Sequence, residues 1–419
     1  MSDVVSERWG DEDFTSKLES AFWMNTPLIQ GILNRRATDE ASVDWVSWLM
    51  ETWVHWAEGR KCLVLGCGPG WLERAVASRG VFAEVHAQDV SAPAVAQAAR
   101  VAREEGLEIE YSVSDLNSAR LPSNEYDVVL AHSVVHHVDR LEHHLDEVWN
   151  CLRPDGVLVV NEYVGQNYLQ YTERQLQLVN GLLDALPQRL RKSVLTEDHL
   201  QERLRPDLET LKREDPSESV RALEIPGLLE DRFVVSDHRN LGGTLLSPLF
   251  YELVANLEIS RPGDSATVGL VAALEESLIA RGELHSDYQF WVLEKTASAF
   301  VRRRPEPREI SGLGLESVET VRLQPPELFS QHGGSVLDAA MPGGFLNRLI
   351  ACLSPWHRLE ASGFSPVSSA SQGFRPDSEL LLRSLDPWLT SLQSETPRRV
   401  LDFALPQLSS ARAIDVGFP

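Results

Sequence analysis

The residues in this chain that could do chemistry fall into three groups: glycines at alternate positions, acidic residues further on, and a pair of histidines. Gly66, Gly68 and Gly70 lie in Leu63-Val64-Leu65-Gly66-Cys67-Gly68-Pro69-Gly70-Trp71, between an apolar run and a helix-forming stretch. Glycine is required where a strand turns tightly into a helix and where a ligand must approach the backbone. The dinucleotide fingerprint wants a third glycine where Trp71 stands, and a phosphate loop wants Lys and Ser/Thr after Gly70. The G-x-G-x-G spacing instead suits a nucleoside ligand without a pyrophosphate; a glycine turn with no ligand is the plain alternative. Asp89, 19 residues after Gly70, can accept both ribose hydroxyls. Asp115, in Ser114-Asp115-Leu116-Asn117, can accept from an adenine amino group. His132-Ser133, His136-His137 and Asn161-Glu162-Tyr163 complete the polar set.

These groups matter only if the fold gathers them. From Cys62 the sequence alternates strand and helix: strands at Cys62–Leu65, Ala83–Gln88, Glu110–Val113, Val128–His132 and Val157–Asn161, helices at Trp71–Ser78, Ala92–Glu105 and Leu141–Leu152, and a turn at Arg153–Gly156. Near-continuous apolar strands alternating with helices predict a doubly wound, mainly parallel α/β sheet. In such a sheet, ligands sit past the carboxyl ends of the strands, which is where each polar group falls. Upstream, Phe14–Asn34 and Val43–Trp56 read as two helices, the second with Trp45, Trp48, Trp53 and Trp56 on one face. It reads either as a core-packed helix or as an aromatic lid over a pocket. After Gly165 the rhythm breaks into helices and loops, beginning with Tyr168–Leu186. Sheet character returns at Arg232–Asp237 and Tyr288–Leu293, with helix candidates Leu245–Leu257 and Ala266–Arg281 between them. The expected organisation is an N-terminal helical lid (1–58), one α/β domain (59–300) with a helical insertion at about 166–229, and a C-terminal accessory segment (301–419) after the Arg302-Arg303-Arg304-Pro305 linker. That segment reads as an interface piece through which copies of the chain self-associate, with partial disorder as the alternative.

At 419 residues and 43% apolar composition the chain can bury a sizeable core. The net charge of -23, from 39 basic and 62 acidic residues, repels phosphate backbones and argues against a nucleic-acid substrate. From Val301 onward the count is 12 basic against 13 acidic residues, so nearly all the excess lies in the first 300. No membrane partner is expected, since no run of eighteen apolar residues exists, and the polar N-terminus does not read as a signal peptide. A cytoplasmic location follows. Cys62, Cys67, Cys151 and Cys352 form no C-x-x-C pair and read as buried free thiols.

From roughly Lys61 to Gly165 the chain resembles a class I S-adenosylmethionine-dependent methyltransferase. The matching pieces, in order, are Leu65-Gly66-Cys67-Gly68-Pro69-Gly70, Gln88-Asp89-Val90-Ser91, Ser114-Asp115-Leu116, Tyr126-Asp127-Val128-Val129, His132-Ser133-Val134-Val135-His136-His137 and Leu152-Arg153-Pro154-Asp155-Gly156. The resemblance implies a Rossmann-like seven-stranded fold with S-adenosyl-L-methionine as cofactor. It implies that Gly66, Cys67, Gly68 and Gly70 flank the methionine part and that His132 lies beside it. Asp89 and Val90 would hold the ribose, and Asp115 with Leu116 the adenine. Val64 stands where many family members carry an acidic residue. The stretch from Asn161 through Asp215-Pro216-Ser217-Glu218 to Gly242-Gly243 is similar to a bacterial subgroup of largely unassigned substrate.

The expected reaction is methyl transfer to a small-molecule acceptor, a hydroxyl of a glycan precursor or secondary metabolite. N-methylation, and cofactor binding without methyl transfer, stay open. Transfer to a hydroxyl needs alignment and a proton acceptor. The candidate catalytic residues are His137, favoured as base, then His136 and Glu162; packing or capping is the plain reading of one histidine. No metal is expected. His143-His144 with His136-His137 fits no zinc spacing, and no acidic cluster accompanies them in sequence, so a solvated helix face is the preferred reading of His143-His144.

Overall fold

The central strands are apolar throughout and buried on both faces, their side chains alternating between two core clusters. The computed structural model describes residues 20–54, 60–295, 399–404 and 407. Its single sheet has the order β3-β2-β1-β4-β5-β7-β6, with β1 (Lys61–Leu65), β2 (Glu84–Asp89), β3 (Glu110–Val113), β4 (Tyr126–His132), β5 (Leu152–Tyr163), β6 (Val234–Gly242) and β7 (Tyr288–Glu294). The first five run parallel; β7 is antiparallel to both β5 and β6. Cys62, Val64, Val128, Leu130, Val157 and Val159 enter one core cluster, while Leu63, Leu65, Val129, Ala131, Leu158 and Val160 enter the other. Side chains point to opposite faces with a period of two, so a strand covered on both faces must be apolar throughout. The mainly parallel, seven-stranded, Rossmann-like sheet is as the sequence predicts.

The helices are α1 (Pro27–Thr38), α2 (Trp45–Thr52), α3 (Trp71–Ala77), α4 (Ala92–Glu104), α5 (Leu141–Cys151), α6 (Glu173–Ala185), α7 (Leu208–Glu214), α8 (Ile225–Arg232), α9 (Leu246–Phe250) and α10 (Pro262–Ala280). Their starts follow local chemistry. Asp44 accepts from the Ser47 amide at the head of α2, Ser91 caps α4, and Thr172 with Gln175 forms a capping box on α6. The N-terminal helices share the main core: Trp23, Leu28, Ile29, Ile32 and Leu49 pack with β6 and α10 residues. Arg36 of α1 bonds the carbonyls of Leu241 and Ala272 and the buried Glu275. Residues 399–404 are helical and return to α6. Val400, Leu401 and Ala404 are buried in the same core, and a Cβ on Gly181 would come 2.1 Å from the Phe403 ring.

Several boundaries differ from the sequence reading. The predicted Phe14–Asn34 helix is interrupted: Ser20 and Ala21 are helical, residues 22–26 are not, and a new helix starts at Pro27, whose ring is tolerated in the first turn; residues before Ser20 lie outside those described. The predicted Tyr168–Leu186 helix starts only at Glu173, because Tyr168 and Leu169 take left-handed backbone at φ 54 and 53. The predicted Leu245–Leu257 helix breaks after Phe250, and Glu252 has φ 59. The Arg153–Gly156 turn is a bulge inside β5, where pairing jumps from Tyr126–Leu152 to Val128–Val157. β6 runs to Gly242 because it is an edge strand, so its polar residues face solvent. The Arg302–Arg304 linker, Cys352 and the self-association segment apart from residues 399–404 and 407 lie outside the described residues. Among the described residues no helix is long and apolar enough to cross a membrane.

Candidate active site

Strand order reverses between β1 and β4, and the crevice at their carboxyl ends is where such sheets hold ligands. On its β1 side the chain turns through Gly66, Gly68 and Gly70, at φ +60, +52 and +93. A Cβ on Gly66 would lie 2.1 Å from Val134, whereas one on Gly68 would meet nothing within 4 Å. The first glycine is thus fixed by packing, and the second leaves open backbone. Asp89 ties this turn to its own: its carboxylate accepts from the Gly68 amide at 2.9 Å and the Ser91 amide at 2.8 Å. The Cys67 amide bonds the Gln88 carbonyl, and the Ser114 amide bonds the Asp89 carbonyl. Asp89 and Val90 are half-buried at the rim. Asp115 accepts from the Asn117 amide at 2.9 Å, and Leu116 is buried beside it. All the predicted nucleoside-facing residues therefore fall on one edge.

His132 ends β4 under an aromatic cover. Its ring lies 5.2 Å from Trp71 and 5.6 Å from Trp45 of α2, and Trp45 also touches Phe290. Burial pushes His132 down to about 4, so it is neutral, and its Nδ1 is enclosed without a hydrogen-bond partner. An orphaned polar atom beside an open glycine backbone and a half-buried carboxylate fits a nucleoside with a polar appendage. Trp45 is thus packed against the sheet, in line with the core-packed reading of its helix.

Past His132 the chain makes a short 3-10 turn, Val135–His137, pinned from below by Glu162. The Glu162 carboxylate is fully enclosed. It accepts from the amides of Val134, Val135 and Tyr163 at 2.9, 2.6 and 2.7 Å and meets His136 Nδ1 at 2.5 Å. Those donors, with His136 beside it, hold the carboxyl below its ordinary range despite burial, which opposes it. His136 is pushed up to about 9, because the attraction of Glu162 outweighs its desolvation. Glu162 therefore positions the turn and has no free face for a substrate. His137 Nδ1 meets Ser217 Oγ at 3.2 Å, and Ser217 donates to Asp215 at 2.8 Å. Burial, then the adjacent His136, holds His137 below its ordinary value. A ring wall runs from Trp23 through Tyr288, Tyr163 and His136 to His137, with successive centroids 5.2, 5.3, 6.1 and 4.1 Å apart.

Asp215, Ser217 and Glu218 were visible in sequence as a motif without a role; they sit about 80 residues after the histidines and only the insertion's path brings them there. His143 and His144 are elsewhere. His143 faces the Ala119 carbonyl, and His144 is 2% exposed on the stripe Leu141, Leu145, Val148 of α5, so the solvated-face reading fails for it. Cys62, Cys67 and Cys151 are buried free thiols, as expected.

Comparison with known proteins adds a family. Residues 63–160 match the family model described as a methyltransferase domain. A demethylmenaquinone methyltransferase of Thermus thermophilus is 28% identical over 159 residues, covering 36% of this chain and 72% of its own length. A malonyl-[acyl-carrier protein] O-methyltransferase of Enterobacter lignolyticus is 34% identical over 98 residues, covering 23% and 37%. A ubiquinone biosynthesis O-methyltransferase of Agrobacterium fabrum is 31% identical over 101 residues, covering 24% and 40%. The last two are thus matched over less than half of their length.

Proposed function

The chain carries the domain of the class I S-adenosylmethionine-dependent methyltransferases, an enzyme family, and from that premise we propose that it methylates a hydroxyl of a small-molecule acceptor. Gly66, Cys67, Gly68 and Gly70 would flank the cofactor's methionine part beside His132, Asp89 and Val90 would hold its ribose, and Asp115 and Leu116 its adenine. S-adenosylmethionine, when bound, supplies an electrophilic methyl on a sulfonium. The residues of this chain then have two tasks, alignment of the acceptor and removal of its proton.

One observation carries the second task. Ser217 Oγ spends its proton on Asp215, so it accepts from His137 Nδ1, which leaves Nε2 as the ring's acceptor. His137 is therefore the group that takes up the hydroxyl proton, and Ser217 and Asp215 position it. His136 is held by Glu162 and serves as part of the wall. The half-buried rings of Tyr288 and His137, backed by the buried Trp23, Tyr163 and His136, suit a flat, ring-bearing acceptor. Two relatives named as O-methyltransferases support oxygen as the receiving atom.

The test is incubation of the full chain with methyl-labelled S-adenosylmethionine and a panel of phenols, sugars and amines. Label in an ether on a ring-bearing hydroxyl is the expected result. Label confined to amines, or cofactor binding with no transfer to any fraction of a cell extract, would overturn the reading.

A further inference from the structure

We infer that His136, His137 and Glu218 form a binding site for one zinc-class divalent ion. One ring nitrogen of each histidine and one Glu218 oxygen lie within 4.8 Å of one another. His136 Nε2 stands 3.9 Å from Glu218 Oε1. Zinc–ligand distances of about 2.0–2.2 Å need ligand atoms roughly 3–3.5 Å apart, so closure asks for side-chain adjustments of about an ångström. The sequence argued against a metal because the histidine spacing fits no zinc pattern and no acidic cluster accompanies them; the insertion supplies a carboxylate from about 80 residues away.

The surroundings are those of a ligand set. Histidines that bind metals donate their other ring N–H to a carboxylate, carbonyl or water, which fixes ring orientation and tautomer. His136 Nδ1 is held by the enclosed Glu162 carboxylate at 2.5 Å. His137 Nδ1 is held by Ser217, itself anchored on Asp215. Glu218 Oε1 accepts from Ser219 Oγ at 2.7 Å. Both histidines are therefore oriented from behind by a second polar group, and the Glu218 oxygen that faces His136 is itself steadied by Ser219. The Glu218 side chain is 21% exposed, which opens a way in from solvent. Two imidazoles and one carboxylate favour zinc or a similar transition ion over magnesium or calcium, which prefer all-oxygen sites. Three protein ligands leave a fourth position open.

The consequence for activity rests on the reading of His137 as proton acceptor: an ion on His137 occupies that nitrogen, so zinc should inhibit methyl transfer. Ion binding itself does not depend on that reading.

The experiment uses the full chain stripped with a chelator. Zinc affinity is measured against a chromophoric competitor, and cobalt(II) is added as a spectroscopic probe. One tight zinc equivalent is expected, with cobalt showing the visible bands of a four-coordinate nitrogen/oxygen site. Glu218→Gln and Ser217→Ala should each weaken zinc about 10–100-fold, the range for ligand and supporting-shell changes. No binding by the wild type, equal affinity in wild type and Glu218→Gln, or an intense thiolate-to-cobalt band would overturn the site. Zinc that binds through Glu218 yet leaves methyl transfer untouched supports the site and instead refutes His137 as proton acceptor.

Discussion

Glu162 holds His136 at 2.5 Å while its other oxygen gathers the amides of Val134 and Val135. One buried carboxylate thereby fixes both a histidine ring and the backbone turn that presents the next histidine. Removing one partner of a buried pair typically costs about 3–5 kcal/mol. Glu162→Gln should destabilise the fold by that order, read as a lower denaturant midpoint. An unchanged midpoint would mean that the turn holds itself.

The His137 role separates chemistry from binding. His137→Gln should lower kcat by about 10²–10⁴, the usual worth of a positioned base, while calorimetry shows unchanged S-adenosylmethionine affinity. A fall in cofactor affinity with kcat intact would place His137 in the binding wall instead.

On the proposed cofactor pose, Asp89 serves the loop and the ligand together. Asp89→Ala removes the acceptor of the Gly68 and Ser91 amides and, on that proposal, the one for the ribose. Hydrogen bonds to a charged group are worth about 1.5–3 kcal/mol, so cofactor Kd should rise roughly 10–100-fold. Asp89→Asn, which keeps one acceptor, should fall between variant and wild type in the same titration.

Gly66 faces two separable penalties. Alanine there meets Val134 and must hold φ +60, a left-handed conformation costing about 1–2 kcal/mol. Gly66→Ala should lower the melting temperature, and the added change Val134→Ala should restore only the steric part. Full recovery in the double variant would show that the backbone carries no strain.

Asp287 gives a pH signature. Burial pushes its carboxyl up to about 7, although Gln175 donates to it at 2.9 Å. The unfolded value is about 3.9, so between those two pH values the folded chain binds more protons than the unfolded chain. This group's contribution to stability therefore declines as pH rises from about 4 to about 7, by up to about 1.4 kcal/mol per unit, and is flat above. Asp287→Asn should flatten that slope in urea melts between about pH 5 and 7; parallel slopes would exonerate Asp287.

The strand ends that carry the proposed cofactor residues were legible because they are marked by the switch from apolar runs to polar residues, as at Leu65-Gly66 and Gln88-Asp89. The half around His137 was not. Ser217 and Glu218 lie in an insertion with no strand rhythm, and the pairing of His137 with Ser217 exists only in three dimensions. The sequence marked the start of edge strand β6 at Arg232–Asp237 but missed its second half, His238–Gly242, where polar residues replace the apolar pattern that identifies a core strand. His144 shows the opposite failure, a polar type on the buried stripe of α5.

Residues 399–404 pack against α6, far in sequence from Lys295, where the sheet domain's last strand has just ended. Arg399 bonds the Asp184 carbonyl and Gln407 meets Arg174, so the far end is fastened to the helix that follows β5. A proteolytic cut between Lys295 and Arg399 would make this anchor a separate ligand, held by Val400, Leu401 and Ala404 at whatever concentration surrounds it.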